Sequence, residues 1–486
     1  MMEHFLRFVM IPAAIAPLCL LVARKRPATA GALAVATLFI GLLFTLPYLY
    51  EYHTSPFPEP PWDPVFNAAV FNSDIFSLLM TVGVYIAGVC ASFFALRSLP
   101  EKCQGVWQCL LLLVVAGLCG AVTARDFFTM FVFSEAAGAA LCALLAFDGS
   151  HYGVEAAVKY YIPGLPAGAL VLLGNALLMF YAGGTGFKSV AAAVKASVAA
   201  PAPLAVILGL LACGYMIKAA LAPFHAWKAD SCQGAGAPAA AVLSGAAVAA
   251  AGLYPLIRVA MALRALYPAH SGDCVGPAIM LFGMLSVLVG VLGAFAQRNL
   301  RRMLAFAAVS QYGMAALAAG IGTQYAFSGA IYQMFNTMFC MTALFLLAGI
   351  VERWAGACDL RRLGGLEARI PLVAVPFAVL LLSLAGMPPF SGFWAKLFIM
   401  SALWKEGCRL YVCLSLLSSG ILLLCFARTI TGAFSGRAEV PRASAQANDA
   451  WLSLPSVLLA LLAVAAGLYF PSLFTLFVFS AAGVKL

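Results

Sequence analysis

The sequence predicts an all-α polytopic membrane protein of about fourteen transmembrane helices, built as two inverted repeats that each contain a proline-broken helix. Three observations lead there. Of 486 residues, 64% are hydrophobic and only 9% charged, with a mean hydropathy of +1.00; soluble domains are roughly 45–50% apolar. Apolar windows of about 20 residues recur along the whole length, each long enough to cross a hydrocarbon core of about 30 Å at about 1.5 Å per residue. Two of the windows, around "PFHAW" from 223 and "MPPF" from 387, are interrupted by proline and carry a charge.

In chain order the spans fall at 5–23, 28–50, 74–97, 107–124, 126–147, 159–182, 204–224, 237–264, 275–296, 302–321, 324–351, 370–402, 409–433 and 452–481. The first segment, "FLRFVMIPAAIAPLCLLVARKRPA", has its strong charge after the apolar run, the reverse of a secretory signal, so it is read as a span. The longest polar gaps, "EYHTSPFPEPPWDPVFNAAVFNSD" and "SGRAEVPRASAQANDA", are rich in proline or small residues and read as connecting loops. Residues 1–486 are therefore expected to form a single membrane domain.

The formal net charge of +10 does not point to nucleic acid, because the basic residues sort by loop and form no patch interleaved with aromatic residues. With the N-terminus outside, alternate loops on the inner side carry Arg24, Lys25 and Arg26; Arg97 and Lys102; Arg298, Arg301 and Arg302; Arg353, Arg361, Arg362 and Arg369; and Arg428, Arg437 and Arg442. That is the positive-inside pattern. The loop with Glu51, Glu59 and Asp63 then lies outside, whereas outer loops holding Lys188 and Lys195, or Lys405 and Arg409, fit less well. An even number of spans places both termini on the outer side. The 14 cysteines form no C-x-x-C pair, and most, such as Cys19, Cys90, Cys119, Cys142 and Cys213, sit inside apolar runs as small hydrophobes. No metal site is expected.

Ionisable residues inside spans cost several kcal/mol each unless they face protein or water, so they are the informative positions. Glu135 sits in "DFFTMFVFSEAAGAALCALL", Lys218 and His225 in "GYMIKAALAPFHAW", and Lys396 in "AGMPPFSGFWAKLFIM". Lys159 lies close enough to a span boundary to snorkel. On an unbroken helix Lys218 and His225 would share a face about 10 Å apart. Pro223 lacks the backbone donor and breaks the helix between them, which makes a polar site at mid-membrane depth. For His225 alone, a histidine satisfied within the structure is at least as good a reading as a proton relay. The two broken spans occupy comparable positions in the two halves, as in secondary transporters whose sites form at discontinuous helices.

From about residue 70 to about 430 the chain resembles the antiporter-like subunit family shared by NADH–quinone oxidoreductases, Mrp-type sodium/proton antiporters and membrane-bound hydrogenases. The resemblance rests on "ARDFFTMFVFSEAAGAALCALLAF", "EAAVKYYIPGLPAGALVLLGNALLMFYAGGTGF", "IKAALAPFHAWKADSCQGAGAPAAAVLSG", "AQRNLRRMLAFAAVSQYGMAALAAGI" and "AGMPPFSGFWAKLF". It makes 70–430 an antiporter-like core, with 1–69 and 431–486 as flanking spans. It implies that Glu135 and Lys218 are the family's fifth- and seventh-span pair, which modulates proton uptake. Lys396 becomes the twelfth-span group at the exit side, and His225 the histidine of the "PxHxW" signature. Lys159, Lys228 and Asn336 are accessory candidates. The departures lie in the middle: the eighth-span lysine falls on Ala250, the eleventh-span histidine and lysine on Thr337 and Met341, and the family's "LPDAH" reads "KADSC", with Lys228 and Cys232. Direct contact between lysines cannot cross that gap. Water held by Ser244, Ser310, Thr337, Gln333 or Asn336 could.

The expected function is a proton- or cation-translocating subunit of a multisubunit redox-driven pump of the oxidoreductase or membrane-bound hydrogenase type, itself non-catalytic. Two alternatives stay open: a non-conducting structural subunit of such a complex, and a Mrp-type sodium/proton antiporter subunit. A stand-alone solute permease ranks below both. Carboxylate-poor spans speak against a sodium site, because hard cations prefer several oxygen ligands. There is no Rossmann fingerprint, P-loop or cysteine ligand set, so no cofactor is expected in this chain and redox cofactors are assigned to partner subunits. The expected partners are other membrane subunits, a peripheral redox arm and the bilayer, in an inner (cytoplasmic) membrane.

Overall fold

The bilayer admits only backbones that satisfy their own hydrogen bonds, and every extended element described in this computed structural model is a helix. The structure describes residues 6–54, 74–197, 201–267, 273–356, 358–365, 367, 370–435 and 450–469. In chain order the helices are α1 (Arg7–Ala23), α2 (Pro27–Thr54), α3 (Ile75–Ser98), α4 (Glu101–Thr123), α5 (Phe127–Leu145), α6 (His151–Ala182), α7 (Phe187–Ala196), α8 (Ala202–Lys218) and α9 (Ala226–Gly234). They continue as α10 (Ala237–Leu266), α11 (Val275–Ala296), α12 (Leu300–Ile321), α13 (Gln324–Ala355), α14 (Pro371–Ala385), α15 (Ser391–Lys405), α16 (Arg409–Phe434) and α17 (Ala450–Leu468). Among the described residues 11 helices are long and apolar enough to cross a membrane, and α1, α8 and α14 are shorter apolar helices. Each of the fourteen spans read from the sequence has a counterpart. Glu59, Asp63, Arg369, Arg437, Arg442 and the part of the last span beyond 469 lie outside the described residues.

Four boundaries differ most from the sequence reading, each for a local reason. Helix α4 starts at Glu101, six residues early, directly after Pro100. Helix α6 starts at His151, eight residues early, because Ser150 caps it by accepting from the Gly153 amide at 3.0 Å. The predicted spans 204–224 and 370–402 are each broken, so Lys218 becomes the last residue of α8. Two short helices fall outside the spans read from the sequence: α9, beyond the first break, and α7, whose Phe187, Val190 and Val194 are buried while Lys188 and Lys195 are exposed.

Helices α10 and α13 are 94% buried over their apolar windows, against 28% for α6, so the former are central and the latter lipid-facing. The alanine- and glycine-rich sequence of α10 suits that place, since small side chains let backbones approach without a polar cost. Between α11 and α12, a Cβ on Gly283 would run into the Leu317 amide nitrogen, and one on Gly290 would stand 2.5 Å from that of Ser310. No larger residue fits at either position. Within α10 the segment Leu243–Leu253 widens into a π-helix just before Pro255, which cannot donate to the carbonyl of Ala251.

The two breaks share one local design. In each, the last turn closes with a long-range cap, Leu221 N to Met216 O at 3.1 Å and Met387 N to Leu382 O at 3.1 Å. The residue before each donor is left-handed, Ala220 at φ 54° and Gly386 at φ 86°. Pro223 and Pro389 each follow three residues after that left-handed position. Spans seven and twelve are an odd number of crossings apart, so the two broken helices run in opposite directions through the membrane. At one end of α3 Asp74 caps the helix, accepting from the Ser77 amide at 2.8 Å. Its carboxylate also takes both Nη2 contacts of Arg258, at 2.7 and 2.6 Å, and Arg125 Nη1 at 3.4 Å.

Candidate functional site

Because α8 stops at Lys218, its ammonium is freed to point across to α5. The Nζ donates to Glu135 Oε1 at 2.5 Å and to Ser134 Oγ at 3.0 Å, and lies 5.4 Å from the Phe131 ring centroid. The break is stitched by Ser286 of α11, whose hydroxyl accepts from the Ala222 amide at 2.8 Å. Gly252 of α10 packs directly under it: a Cβ there would meet the Lys218 carbonyl carbon at 2.7 Å. The pair faces a cavity of about 220 Å³ lined by Ser134, Glu135, Tyr160, Lys218, Trp227 and Ala247, among others. The space is large enough for several waters. A carboxylate and an ammonium at this separation, beside a wettable cavity, can exchange a proton without either charge standing unpaired in the membrane.

The second break holds Lys396 by a different device. Its Nζ donates to the carbonyls of Leu384 and Ala385, at 2.8 and 2.9 Å, and to Ser419 Oγ at 3.4 Å. Leu384 and Ala385 are the last residues of α14, so the ammonium sits on the negative end of that half-helix. Gly386 makes the approach possible, since a Cβ there would stand 2.7 Å from Lys396 Cδ. Gly386→Ala is therefore expected to strain the left-handed cap by about 1 kcal/mol and to push Lys396 off its carbonyls. The chain should still assemble while proton flux in proteoliposomes falls; an unchanged flux would show that Lys396 needs no such seat.

Between the two lysines lies a row of buried polar groups. Lys228 on α9 is fully buried, with Nζ 4.4 Å from the Tyr312 ring centroid and no hydrogen-bond partner. Tyr312 donates to the Ser244 carbonyl at 2.7 Å. One residue away on α12, Gln311 accepts from Gln333 Nε2 at 2.8 Å, and that amide also reaches Thr337 Oγ1 at 3.4 Å. A turn further along α13, Asn336 Oδ1 accepts from Ser391 at 2.6 Å and Ser383 at 3.2 Å. Those serines flank the second break. Buried atoms without a protein partner recur along this row: His225 Nδ1, Trp227 Nε1, Lys228 Nζ, Ser244 Oγ, Gln333 Oε1 and Asn336 Nδ2. Buried polar atoms are rarely left unpaired, so these are places for ordered water.

The structure thus brings Glu135 and Lys218 together and seats Lys396 and Asn336 at the other break. His225 immediately precedes α9 with its ring edge-on to Phe306 at 5.8 Å, and among the described residues it makes no ion pair. Lys159 lies two turns inside α6, half-exposed, paired with Glu155 at 2.7 Å and Asp230 at 2.8 Å. The snorkelling lysine of the sequence reading is in fact ion-paired. Ala250 and Met341 are fully buried, as apolar core. Sequence reasoning missed Asp230, which also accepts from Arg302 at 2.6 Å, and the Asp74–Arg258 pair. Arg258 was visible as a lone charge in "GLYPLIRVAMAL", but its partner lies 184 residues away.

A family model described as NADH:quinone oxidoreductase/Mrp antiporter, transmembrane, matches residues 124–422. A Na(+)/H(+) antiporter subunit of Alkalihalophilus pseudofirmus is 28% identical over 433 residues, 88% of this chain and 86% of the relative. An NADH-quinone oxidoreductase subunit of Syntrophotalea carbinolica is 33% identical over 368 residues, 75% and 76% of the two chains. Among solved structures, a chain of the Mrp complex from a Dietzia species matches with a TM-score of 0.88 at 25% identity, over 100% of this chain and 98% of that one. A chain of respiratory complex I from Thermus thermophilus, 24% identical, matches in fold with a TM-score of 0.77, over 96% and 99%.

Proposed function

The chain belongs to the NADH:quinone oxidoreductase/Mrp antiporter transmembrane family, and from that premise we propose that it carries protons as one membrane subunit of a multisubunit redox-driven pump. The observation that carries this reading is the Lys218–Glu135 pair at the first helix break, facing a cavity of about 220 Å³. In this reading Lys218, tuned by Glu135, loads a proton from the cavity, and Lys396 at the second break releases it. When the Lys218 ammonium gives up its proton, Glu135 loses a partner, so loading at this pair is coupled to the charge on the next group along the row. Redox cofactors belong to partner subunits and a peripheral arm. The arginine-rich loops at 24–26, 298–302 and 353–362 support a cytoplasmic inner side, with both termini outside.

A Mrp-type sodium/proton antiporter subunit is the second reading, favoured by the coverage of the Alkalihalophilus antiporter relative. Purifying the tagged chain in mild detergent and identifying its companions by mass spectrometry separates the two. Iron–sulfur or flavin subunits are expected; small membrane subunits alone would favour the antiporter. Proton flux down an imposed pH gradient in proteoliposomes of the purified complex then tests conduction. Lys396→Ala is expected to slow it by about 100-fold, the scale of a positioned proton-transfer group. Wild-type flux in both Lys396→Ala and Lys218→Ala would make the chain a structural subunit.

A further inference from the structure

Among the described residues three basic side chains are almost wholly buried: Lys228, Arg301 and Lys396. Arg301 pairs with Glu352 and donates to the Ala235 carbonyl at 2.6 Å, and Lys396 is seated on two carbonyls. Lys228 alone has no hydrogen-bond partner. The carboxylate nearest in sequence, Asp230, turns instead to Lys159 and Arg302. The other titratable neighbours are Cys232, one turn along α9, and Tyr312. A single cation–π contact is worth less than the desolvation of a buried ammonium. As a structural element Lys228 is therefore a poor choice, since leucine would fill the same space without the penalty.

Its position gives the residue a use. Trp227 lines the cavity shared with Glu135 and Lys218, while Lys228, the next residue, faces Tyr312 on α12. Beyond Tyr312 lie the Gln311–Gln333–Thr337 cluster and the Asn336–Ser383–Ser391 cluster that reaches the Lys396 break. We propose that Lys228 is the central proton carrier of this chain, standing on the first broken helix between the Glu135–Lys218 pair and Lys396. This deepens the proposed function and rests on it. The proton leaving the Lys218 ammonium passes through ordered water to the neutral amine of Lys228. The Lys228 ammonium so formed then gives its proton to water held at Ser244 Oγ and Gln333 Oε1, two further buried atoms without a protein partner. One proton enters and one leaves, and the amine is restored.

The test is proton flux in proteoliposomes of the purified complex, with Lys228→Leu, Lys228→Gln and Lys218→Ala compared at equal content of assembled chain. Lys228→Leu and Lys228→Gln are expected to assemble normally and to slow the flux by about 100-fold. Wild-type flux in either assembled Lys228 variant, with flux lost in Lys218→Ala, overturns this inference and leaves the proposed function standing. Wild-type flux in all three overturns both. Failure of both Lys228 variants to assemble also overturns it, by making the lysine a structural group.

Discussion

Replacing Lys218 by alanine is expected to cut proton flux through the assembled complex by about 100-fold or more, the largest functional effect of any single change in this chain. The reason lies in the break. An unbroken helix would have continued past 218, but the Ala220 cap ends it there and leaves the Nζ free to reach Ser134 and Glu135 on α5. Among the described residues Lys218 is the one basic group lining the cavity, and its removal leaves Glu135 partly open to that cavity rather than sealed in the core. Assembly should therefore survive the substitution. Glu135→Gln is expected to act more mildly, because the amide can still accept from Lys218 while no longer stabilising its charge. Equal flux in wild type and Lys218→Ala would remove the pair from the conduction path.

The largest effect on stability is expected at the Asp74–Arg258 pair. Asp74→Ala should destabilise the chain by about 3 kcal/mol, because it strands the buried Arg258 guanidinium without its carboxylate. It also removes the α3 cap, worth about 1 kcal/mol. Arg258 is gripped by more than this carboxylate: it donates to Tyr254 OH from Nε at 3.1 Å and stacks 5.0 Å from the centroids of Phe76 and Tyr254. The measurement is the midpoint of thermal unfolding in detergent. Asp74→Asn, which keeps an acceptor for the Ser77 amide, should lose less. The double variant Asp74→Ala/Arg258→Met should regain much of the loss, since a buried pair replaced by apolar residues is often near neutral. If Asp74→Ala melts like the wild type, the ion pair is not a structural clasp.

Much of this molecule was legible before any coordinates. Spans could be counted because hydrocarbon thickness fixes helix length. Both helix breaks could be placed because Pro223 and Pro389 cannot donate a backbone hydrogen bond. Lys218, Glu135 and Lys396 stood out as charges in apolar runs. What stayed hidden was pairing at long range. Lys159 read as a lysine reaching for the interface until Asp230, 71 residues on, was found beside it. Lys228 read as an accessory residue in a short polar stretch, and the sequence contained no sign that α9 buries it completely against Tyr312.

The sequence by itself determined the membrane class, the number of spans, the two broken helices and the list of costly charges, because each depends on local hydropathy or on one residue's backbone chemistry. Only the tertiary structure decided which charges meet. Lys218 pairs with a residue 83 positions away, and Arg258 with one 184 away. The polar row from Lys228 to Lys396 is likewise assembled from six helices, α9, α10 and α12 to α15, with hydrogen bonds between residues up to 68 positions apart. Hydrogen bonds and ion pairs act over a few ångströms, so their energies are set by how helices pack, and packing in a bilayer turns on small residues such as Gly252 and Gly283 whose role appears only when a neighbour's backbone lies against them.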